Sequence, residues 1–264
     1  MGRTHATTPP KRGDGMPART VLILQHVEAE KPGMILDALA GCDAEVDIRN
    51  LLTAAPGAPV GELPAVAELA GLVVMGGPMN ADDTAAHPGL ARERELLADA
   101  VAAGVPTLGV CLGAQLLARS QDMKVLPGAA LGQGPEIGWA PLHDVDRRDP
   151  VVGPLADAPG VLHWHGDRIV VDGPALARTE TTSCQAFRVG PAAWGLQFHL
   201  EVTPALLDEW LAEPGFVAEA RDALGPGALD RLRADARTVA PALRPLAEQS
   251  LSHLRRLVQE RSAR

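Results

Sequence analysis

The chain has 264 residues, of which 46% are apolar and 22% are charged, a composition typical of a globular protein with a substantial core. Its formal net charge is −9 and its Lys and Arg residues form no cluster, so we expect no nucleic-acid binding. No segment approaches the roughly 20 apolar residues that span a bilayer, so we expect no membrane partner. Three scattered cysteines favour a reducing cytoplasm over a disulfide framework.

The first half of the chain alternates short apolar runs with amphipathic segments. Residues 1–19 are rich in Pro, Gly, Thr and Arg and predict a disordered leader, followed by one domain over residues 20–264. Strands are predicted at residues 21–25, 45–48, 72–75 and 106–110, and helices at residues 32–39, 89–103 and 113–119. This alternation predicts an α/β fold with a mostly parallel central sheet and helices on both faces.

The second half has a different pattern. Short β-like segments are predicted at residues 139–142, 161–164, 169–171, 184–189 and 194–198. Turn residues separate them, which indicates a smaller antiparallel or mixed sheet. A helix over residues 203–212 begins with Thr203 as its N-cap, and a helical extension runs from about residue 214 to 264. The leucine stripe of this extension predicts a core or subunit contact, which leaves a homodimer open.

Cys111 is the most informative residue of the chain. It lies between Gly109 and Gly113, directly after an apolar run and before a helical one. Glycines at these positions tolerate the tight strand-to-helix turn that exposes a nucleophile in α/β hydrolytic sites. The N-terminus of the following helix favours the thiolate. The pattern predicts covalent chemistry through Cys111.

A thiolate nucleophile needs a base, and His199 is the best candidate because it follows an apolar strand. Glu201 lies two residues further on, and residues at this spacing share a face of an extended segment. A carboxylate there holds the imidazole in the correct tautomer. Cys111, His199 and Glu201 are therefore predicted to act as nucleophile, base and orienting acid.

Acyl transfer also needs two hydrogen-bond donors for the developing oxyanion. The backbone N–H of Leu112, directly after the nucleophile, is one candidate. The second is predicted in the loop that contains Gly76 and Gly77, with Gly77 preferred. This loop follows an apolar strand, so it belongs to the sheet edge at which parallel sheets place their active sites.

Residues 109–115 and 198–202 together resemble the class I (triad) glutamine amidotransferase family, in particular its stand-alone GMP-synthase-like members. Residues 75–79, 136–139 and 163–167 resemble further motifs of the family and occur in its order. The resemblance extends over roughly residues 21–210. It implies a flavodoxin-like three-layer fold and a cofactor-free enzyme that hydrolyses the side-chain amide of L-glutamine to glutamate and ammonia.

The resemblance also implies residue roles. It places a γ-glutamyl thioester on Cys111, with His199 as general acid and base and Glu201 as its partner. It assigns the oxyanion hole to Gly77 and Leu112. The residues that it implies at the glutamine pocket are Gly76, Gln115, Glu136, Ile137, Gly138, His165 and Asp167.

The chain departs from the family at Leu200, where the family usually has proline between histidine and glutamate. Leucine keeps the spacing of His199 and Glu201, so we expect little effect on activity. The sequence has neither an ATP-pyrophosphatase signature nor a P-loop, so we expect the ammonia acceptor to be bound by a synthase partner or the chemistry to be plain hydrolysis.

The same residues are open to other interpretations. His163, His165 and Glu136 suggest zinc, but no convincing further ligand has suitable spacing, so no metal is predicted. A γ-glutamyl peptide or amide hydrolase would use the same triad. A non-catalytic regulatory protein of the same fold is a second alternative. The cysteine peptidases and deglycases of the fold are less favoured, because they lack the Cys-x-Gly-x-Gln pattern found here.

Overall fold

The computed structural model describes residues 19–50 and 63–264. All of the predicted leader except Arg19 lies outside these residues. Ten strands are described: β1 (Thr20–Leu24), β2 (Glu45–Arg49), β3 (Leu69–Val74), β4 (Thr107–Val110), β5 (Lys124–Pro127), β6 (Glu136–Ala140), β7 (Val161–His165), β8 (Asp167–Val170), β9 (Ala186–Val189) and β10 (Ala193–Leu196). The helices are α1 (Gly33–Leu39), α2 (Pro88–Ala102), α3 (Leu112–Ser120), α4 (Pro204–Trp210), α5 (Pro214–Leu224) and α6 (Ala228–Ser262).

The central sheet has six strands in the order β2-β1-β3-β4-β10-β9. All neighbouring pairs are parallel except β10 and β9, which are antiparallel. Two small antiparallel ribbons, β5 with β8 and β6 with β7, lie outside this sheet. The predicted fold class, a mostly parallel sheet with a smaller antiparallel part, is confirmed.

The sheet is covered on both faces, and this is why its inner strands are apolar along their whole length. Successive residues of β1 belong to two different buried clusters. Val21 and Ile23 pack with residues of α1 and α6, whereas Leu22 and Leu24 pack with residues of α2 and α3. Because successive side chains of a strand point to opposite faces, this division defines three layers.

The last helix, α6, is longer than an average globular helix and contains Pro241 and Pro245. Each proline removes a backbone hydrogen bond, so packing must stabilise the helix at these points. Leu243 and Leu254 of the predicted stripe are buried in the core, and Leu246 and Leu257 are partly buried against it. The leucine stripe therefore packs into the hydrophobic core of this chain. No helix in the described part of the chain is long and apolar enough to cross a bilayer.

Two boundaries differ from prediction in ways that affect the site. The strand predicted over residues 194–198 ends at Leu196, because the backbone bends there and His199 forms an isolated antiparallel bridge with Leu162. The strand predicted from residue 139 begins at Glu136, where pairing with His165 of β7 extends it. Both changes depend on contacts distant in sequence.

The turn around Cys111 requires glycine on structural grounds. A Cβ atom at Gly113 would lie 1.9 Å from the carbonyl oxygen of Val74, and at Gly109 it would lie 2.4 Å from that of Gly113. The turn can therefore pack against the neighbouring backbone only if these two positions have no side chain.

We expect Gly113→Ala to destabilise the protein by about 3 kcal/mol or more, because the clash is with backbone and cannot be relieved by a rotamer change. Urea unfolding measures this change. Gly134→Ala is the matched control, since a Cβ there meets nothing within 4 Å. Equal stability of the two variants would contradict this account of the turn.

Candidate active site

Cys111 lies at the carboxyl end of β4, in the single residue between that strand and α3. Its φ is 49° and its ψ is −107°, a conformation that residues with a side chain rarely adopt. Its N–H donates to the carbonyl of Leu196 at the end of β10 (N···O 2.8 Å), and the N–H of Gly113 donates to that of Met75. The strained nucleophile is thus held between the ends of two neighbouring strands.

His199 and Glu201 form a buried pair beside the cysteine. Nδ1 of His199 lies 2.8 Å from Oε1 of Glu201, and both side chains are buried. The N–H of His199 donates to the carbonyl of Leu162, and its ring meets Trp210 edge-on with centroids 4.8 Å apart. The predicted spacing brings the two groups together, although on a bend and not in a continuous strand.

Cys111 and His199 are close enough for each to shift the pKa of the other, so the three predicted residues lie together in one site. The thiol also lies 3.6 Å from the carbonyl oxygen of Trp164. Leu200, which stands where the family usually has proline, is buried in the core. The substitution therefore leaves the His199–Glu201 contact in place.

The electrostatics of the triad are set by burial and by charge. Burial alone would lower the pKa of His199, but the carboxylate of Glu201 and the hydrogen bond to Cys111 raise it well above its usual value. Burial raises the pKa of the Cys111 thiol, and the hydrogen bond and charge of His199 oppose that rise. The raised pKa of His199 favours the protonated imidazole, which is the form that acts as a general acid.

The two predicted oxyanion donors lie side by side next to Cys111. A Cβ atom at Gly77 would lie 3.0 Å from Cδ2 of Leu112, so the two residues are in close contact. Neither backbone N–H donates a hydrogen bond to any residue that the structure describes. Unused donors at the N-terminus of a helix and in a glycine loop are suited to an anionic oxygen.

A cavity of about 780 Å³ opens at this edge of the sheet. Of the predicted pocket and oxyanion residues, Gly77, Gln115, Ile137, His165 and Asp167 line it. The four that do not line it are Gly76, Leu112, Glu136 and Gly138. The amide nitrogen of Gln115 lies 3.4 Å from the amide oxygen of Gln197, and Asp167 accepts a hydrogen bond from Asn80.

Glu136 was predicted to border the pocket, but its carboxylate belongs to a hydrogen-bond network behind it. It accepts hydrogen bonds from the amide of Gln185 and from the hydroxyls of Thr179, Thr181 and Thr182. Burial opposes ionisation, yet these bonds and one from His165 hold the pKa of Glu136 far below its usual range. Its role is therefore to hold His165, whose Nε2 lies 3.1 Å from its Oε2.

Glu136, His163 and His165 present ligand atoms within 4.8 Å of one another, the geometry of a metal site. The hydroxyl and amide donors already use the carboxylate oxygens of Glu136, and this network explains the cluster without an ion. That the chain uses no metal stays a prediction.

The sequence analysis missed Glu30. This residue lies in the loop between β1 and α1, lines the cavity and has 5% of its surface exposed. Burial raises the pKa of Glu30 to about 7, and the nearby His199 and His26 oppose this rise. Glu30 follows the carboxyl end of β1, as Gly76 follows that of β3. Its place after a buried strand was the sequence signal that could have identified it.

A buried cysteine, histidine and carboxylate beside two unused N–H donors, at the carboxyl edge of a doubly wound sheet, define an acyl-transfer enzyme of the cysteine type. Residues 33–218, well over half of the chain, match the family described as "Glutamine amidotransferase class-I". The chain belongs to this family, and the predicted class of enzyme is confirmed.

Similar proteins agree with this membership. The glutamine amidotransferase structure from Thermotoga maritima shares 27% identity, with a TM-score of 0.73 over 91% of this chain and 99% of that one. The one from Methylobacillus flagellatus shares 26%, with a TM-score of 0.74 over 91% and 96%.

Among curated relatives, a GMP synthase [glutamine-hydrolyzing] of Acinetobacter baylyi is 37% identical over 38% of this chain and 18% of its own length. The glutamine amidotransferase-like protein YfeJ of Salmonella typhimurium is 32% identical over 50% of this chain and 56% of its own length. The chain therefore matches little more than half of YfeJ and less than a fifth of the synthase.

Replacing Glu201 by glutamine tests the triad. We expect kcat for glutamine to fall by about 100-fold to 10,000-fold, because the imidazole loses its orienting charge. The same charge raises the pKa of His199. Without it His199 deprotonates at lower pH, so the high-pH limb of the kcat profile should shift to lower pH. Glu209→Gln, on an exposed pair with Lys31, is the control. A Glu201→Gln variant with wild-type kcat and pH profile would contradict this role.

Proposed function

We propose that this protein hydrolyses the side-chain amide of L-glutamine through a γ-glutamyl thioester on Cys111. The observation that carries the proposal is the hydrogen-bonded pair of His199 and Glu201 beside Cys111, next to the unused N–H groups of Gly77 and Leu112. Family membership supports glutamine as the acyl donor. The low cysteine content supports the proposed cytoplasmic location.

The chemistry follows from the positions of these groups. The Cys111 thiolate attacks the amide carbon, and the N–H groups of Gly77 and Leu112 stabilise the oxyanion. The intermediate collapses when His199 protonates the nitrogen, so the C–N bond breaks and ammonia leaves. A water molecule then gives a proton to His199 and attacks the thioester, which releases glutamate and restores the thiolate beside the protonated His199. Glu201 stabilises the imidazolium in both half-reactions.

The acceptor of the ammonia is proposed to be held by a separate synthase protein. The curated relatives include GMP synthases that are named as glutamine-hydrolysing, and this chain matches less than a fifth of the length of one of them. The cavity gives such a partner direct access to the leaving group, because it is lined by residues of the exposed helix α5 as well as by Cys111.

Trapping the thioester tests the proposal directly. Wild-type protein should release glutamate from glutamine and, with hydroxylamine present, form γ-glutamyl hydroxamate. We expect Cys111→Ala to lower both rates by about 10⁴-fold or more. Cys42→Ala, outside the cavity, is the matched control. Unchanged glutamate release by Cys111→Ala would exclude the proposed nucleophile, and with it catalysis at this site.

A γ-glutamyl amide hydrolase is the second candidate, and the size of the cavity favours it. About 780 Å³ is the volume of a pocket for a drug-sized ligand, and glutamine is much smaller. The triad would act as above, with an amine leaving in place of ammonia. The ratio of kcat/KM for γ-glutamyl amides to that for glutamine separates the two functions.

A further inference from the structure

The cavity beside the triad has a pronounced chemical bias. Six carboxylates line it, and no Lys or Arg does so among the residues that the structure describes. They are Glu28, Glu30, Asp167, Glu213, Glu219 and Asp222. Such a lining repels an anionic ligand and favours a cation.

One wall of the cavity is a face of α5. Phe216, Glu219 and Asp222 follow one another at intervals of three residues, so they lie on one side of the helix, and all three line the cavity. The carboxylate of Glu219 accepts a hydrogen bond of 2.7 Å from the indole N–H of Trp164. This bond fixes one negative charge above the aromatic floor.

The floor consists of three aromatic rings. Trp164 and Phe216 meet with centroids 5.3 Å apart, and Trp210 stacks on Phe216 at 4.8 Å. Aromatic faces combined with carboxylates are the environment that binds alkylammonium groups, through cation–π attraction and ion pairing.

Glu30 on the opposite wall provides an independent indication of a ligand. Its side chain is more than nine-tenths buried, lines the cavity and has no hydrogen-bond partner within the described ranges. A buried carboxylate without a partner is costly, and a bound cation would remove that cost.

We propose that the physiological substrates are γ-glutamyl amides whose leaving amine carries a second, protonated amino group, as in diamines and polyamines. The inference rests on the proposed acyl chemistry at Cys111. The γ-glutamyl group forms the thioester, the C–N bond breaks, His199 protonates the departing nitrogen, and water releases glutamate. The distal ammonium lies between Glu30 and the α5 carboxylates Glu219 and Asp222.

Two matched substrates test the proposal: γ-glutamyl-diaminobutane and its neutral isostere, γ-glutamyl-n-pentylamide. They share the scissile amide, so the triad contributes equally to both. We expect kcat/KM to be about tenfold or more higher for the diamine derivative. The double variant Glu219→Gln, Asp222→Asn should reduce this ratio to about threefold or less. Glu248→Gln, on an exposed pair with Arg244, should leave it unchanged.

The ratio should also depend on pH. The pKa of Glu30 is about 7, so the carboxylate gains charge between pH 6 and pH 8 and the preference for the cation should rise over this range. His199, His26, Glu201 and Glu219 act electrostatically on Glu30. The effects of His199, His26 and Glu201 on catalysis are shared by the two substrates, whereas Glu219 contributes to the ratio itself, and the double variant measures that contribution. Glu30→Gln should remove the rise.

The outcomes separate this inference from the proposed function. A kcat/KM ratio near one, with glutamine hydrolysed through Cys111, overturns the inference and leaves the function standing. Hydrolysis of glutamine alone, stimulated by a synthase with a basic surface, also overturns it and assigns the acidic wall to protein docking. If the wild type turns over neither glutamine nor either amide, both proposals fail.

A second inference rests on a different observation, the buried pair of His26 and Glu93. Nε2 of His26 lies 2.9 Å from Oε2 of Glu93, and neither side chain is exposed. Nδ1 of His26 lies 2.7 Å from the carbonyl oxygen of Gly76. The Gly76 carbonyl can only accept a hydrogen bond, so Nδ1 of His26 carries a proton and donates it. Burial lowers the pKa of His26, but Glu93 and the Gly76 carbonyl raise it above its ordinary value.

The Gly76 carbonyl and the Gly77 N–H belong to one peptide unit. The described chain has no cis peptide bond, so the two groups point in opposite directions. Fixing the carbonyl towards His26 therefore fixes the N–H towards the other side. We infer that His26 and Glu93 are positioning residues, which hold the Gly77 N–H in place for the oxyanion of the proposed reaction.

Two substitutions at His26 test this inference. In His26→Asn the amide nitrogen replaces Nδ1 and keeps the bond to Gly76, whereas in His26→Gln it replaces Nε2 and loses that bond. We expect kcat for glutamine to fall by about 100-fold in His26→Gln with KM nearly unchanged, and to recover at least tenfold in His26→Asn. Affinity for the aldehyde analogue of glutamine, which forms an oxyanion on Cys111, should follow kcat.

Alkylation of Cys111 by iodoacetamide forms no oxyanion, so its rate should stay within about twofold of wild type in both variants. Glu93→Gln, which keeps an acceptor for Nε2, provides a milder variant if His26→Gln does not fold, and it should lower kcat without changing KM. Equal losses of kcat in the Asn and Gln variants, or parallel losses of alkylation, would overturn the inference. An inactive wild type that alkylates normally would instead contradict the proposed glutaminase reaction.

Discussion

The parallel pairing of β4 with β10 is the constraint on which the rest of the site depends. It aligns residues 107–110 with residues 193–196, and the Cys111 N–H continues the ladder to Leu196. The chain after each strand then begins at the same edge of the sheet, although the two strands are far apart in sequence. The nucleophile and its base therefore meet without a long loop. Only the few residues that follow each strand need a specific backbone conformation.

Burial determines how the charges at this edge behave. His199 is surrounded by Cys111, Glu201 and Glu30, and none of these groups is well hydrated. In such surroundings each opposite charge acts strongly, so Glu201 can hold a proton on an imidazole that burial alone would discharge. The same burial raises the pKa of Glu30 to about 7, so its carboxyl group is about half ionised at pH 7. The site thus contains one firmly held cation and one carboxyl group whose charge depends on its surroundings.

The sequence predicted the parts of the site that short local patterns encode. Cys111 between two glycines, and His199 two residues from Glu201, carry their chemistry within a few residues, and a tight turn or a shared face explains each. Glu30 has only its place after a buried strand as a signal, and the pair of His26 with Glu93 has no local pattern, because their environment comes from strands and helices packed around them. Glu136 was predicted at the pocket because it lies in a family motif, and that motif gave no indication of the threonines 43 to 46 residues away whose hydroxyls donate to its carboxylate. The early end of β10 has the same origin, a bridge to Leu162 that only the folded chain creates.

Chemistry and selectivity are built by different parts of the fold, and this separation has a physical reason. The groups that would touch the acyl carbon follow the ends of β3, β4 and β10, which are rigid because their backbones are paired and their side chains buried. The wall that the leaving group would meet is a face of α5, an exposed helix that contributes little to the sheet. Side chains on such a face can be replaced by side chains of another charge without disturbing the core, because their polar ends are solvated. The acidic residues of α5 are therefore best explained by the leaving amine that they would bind. The triad would break the C–N bond.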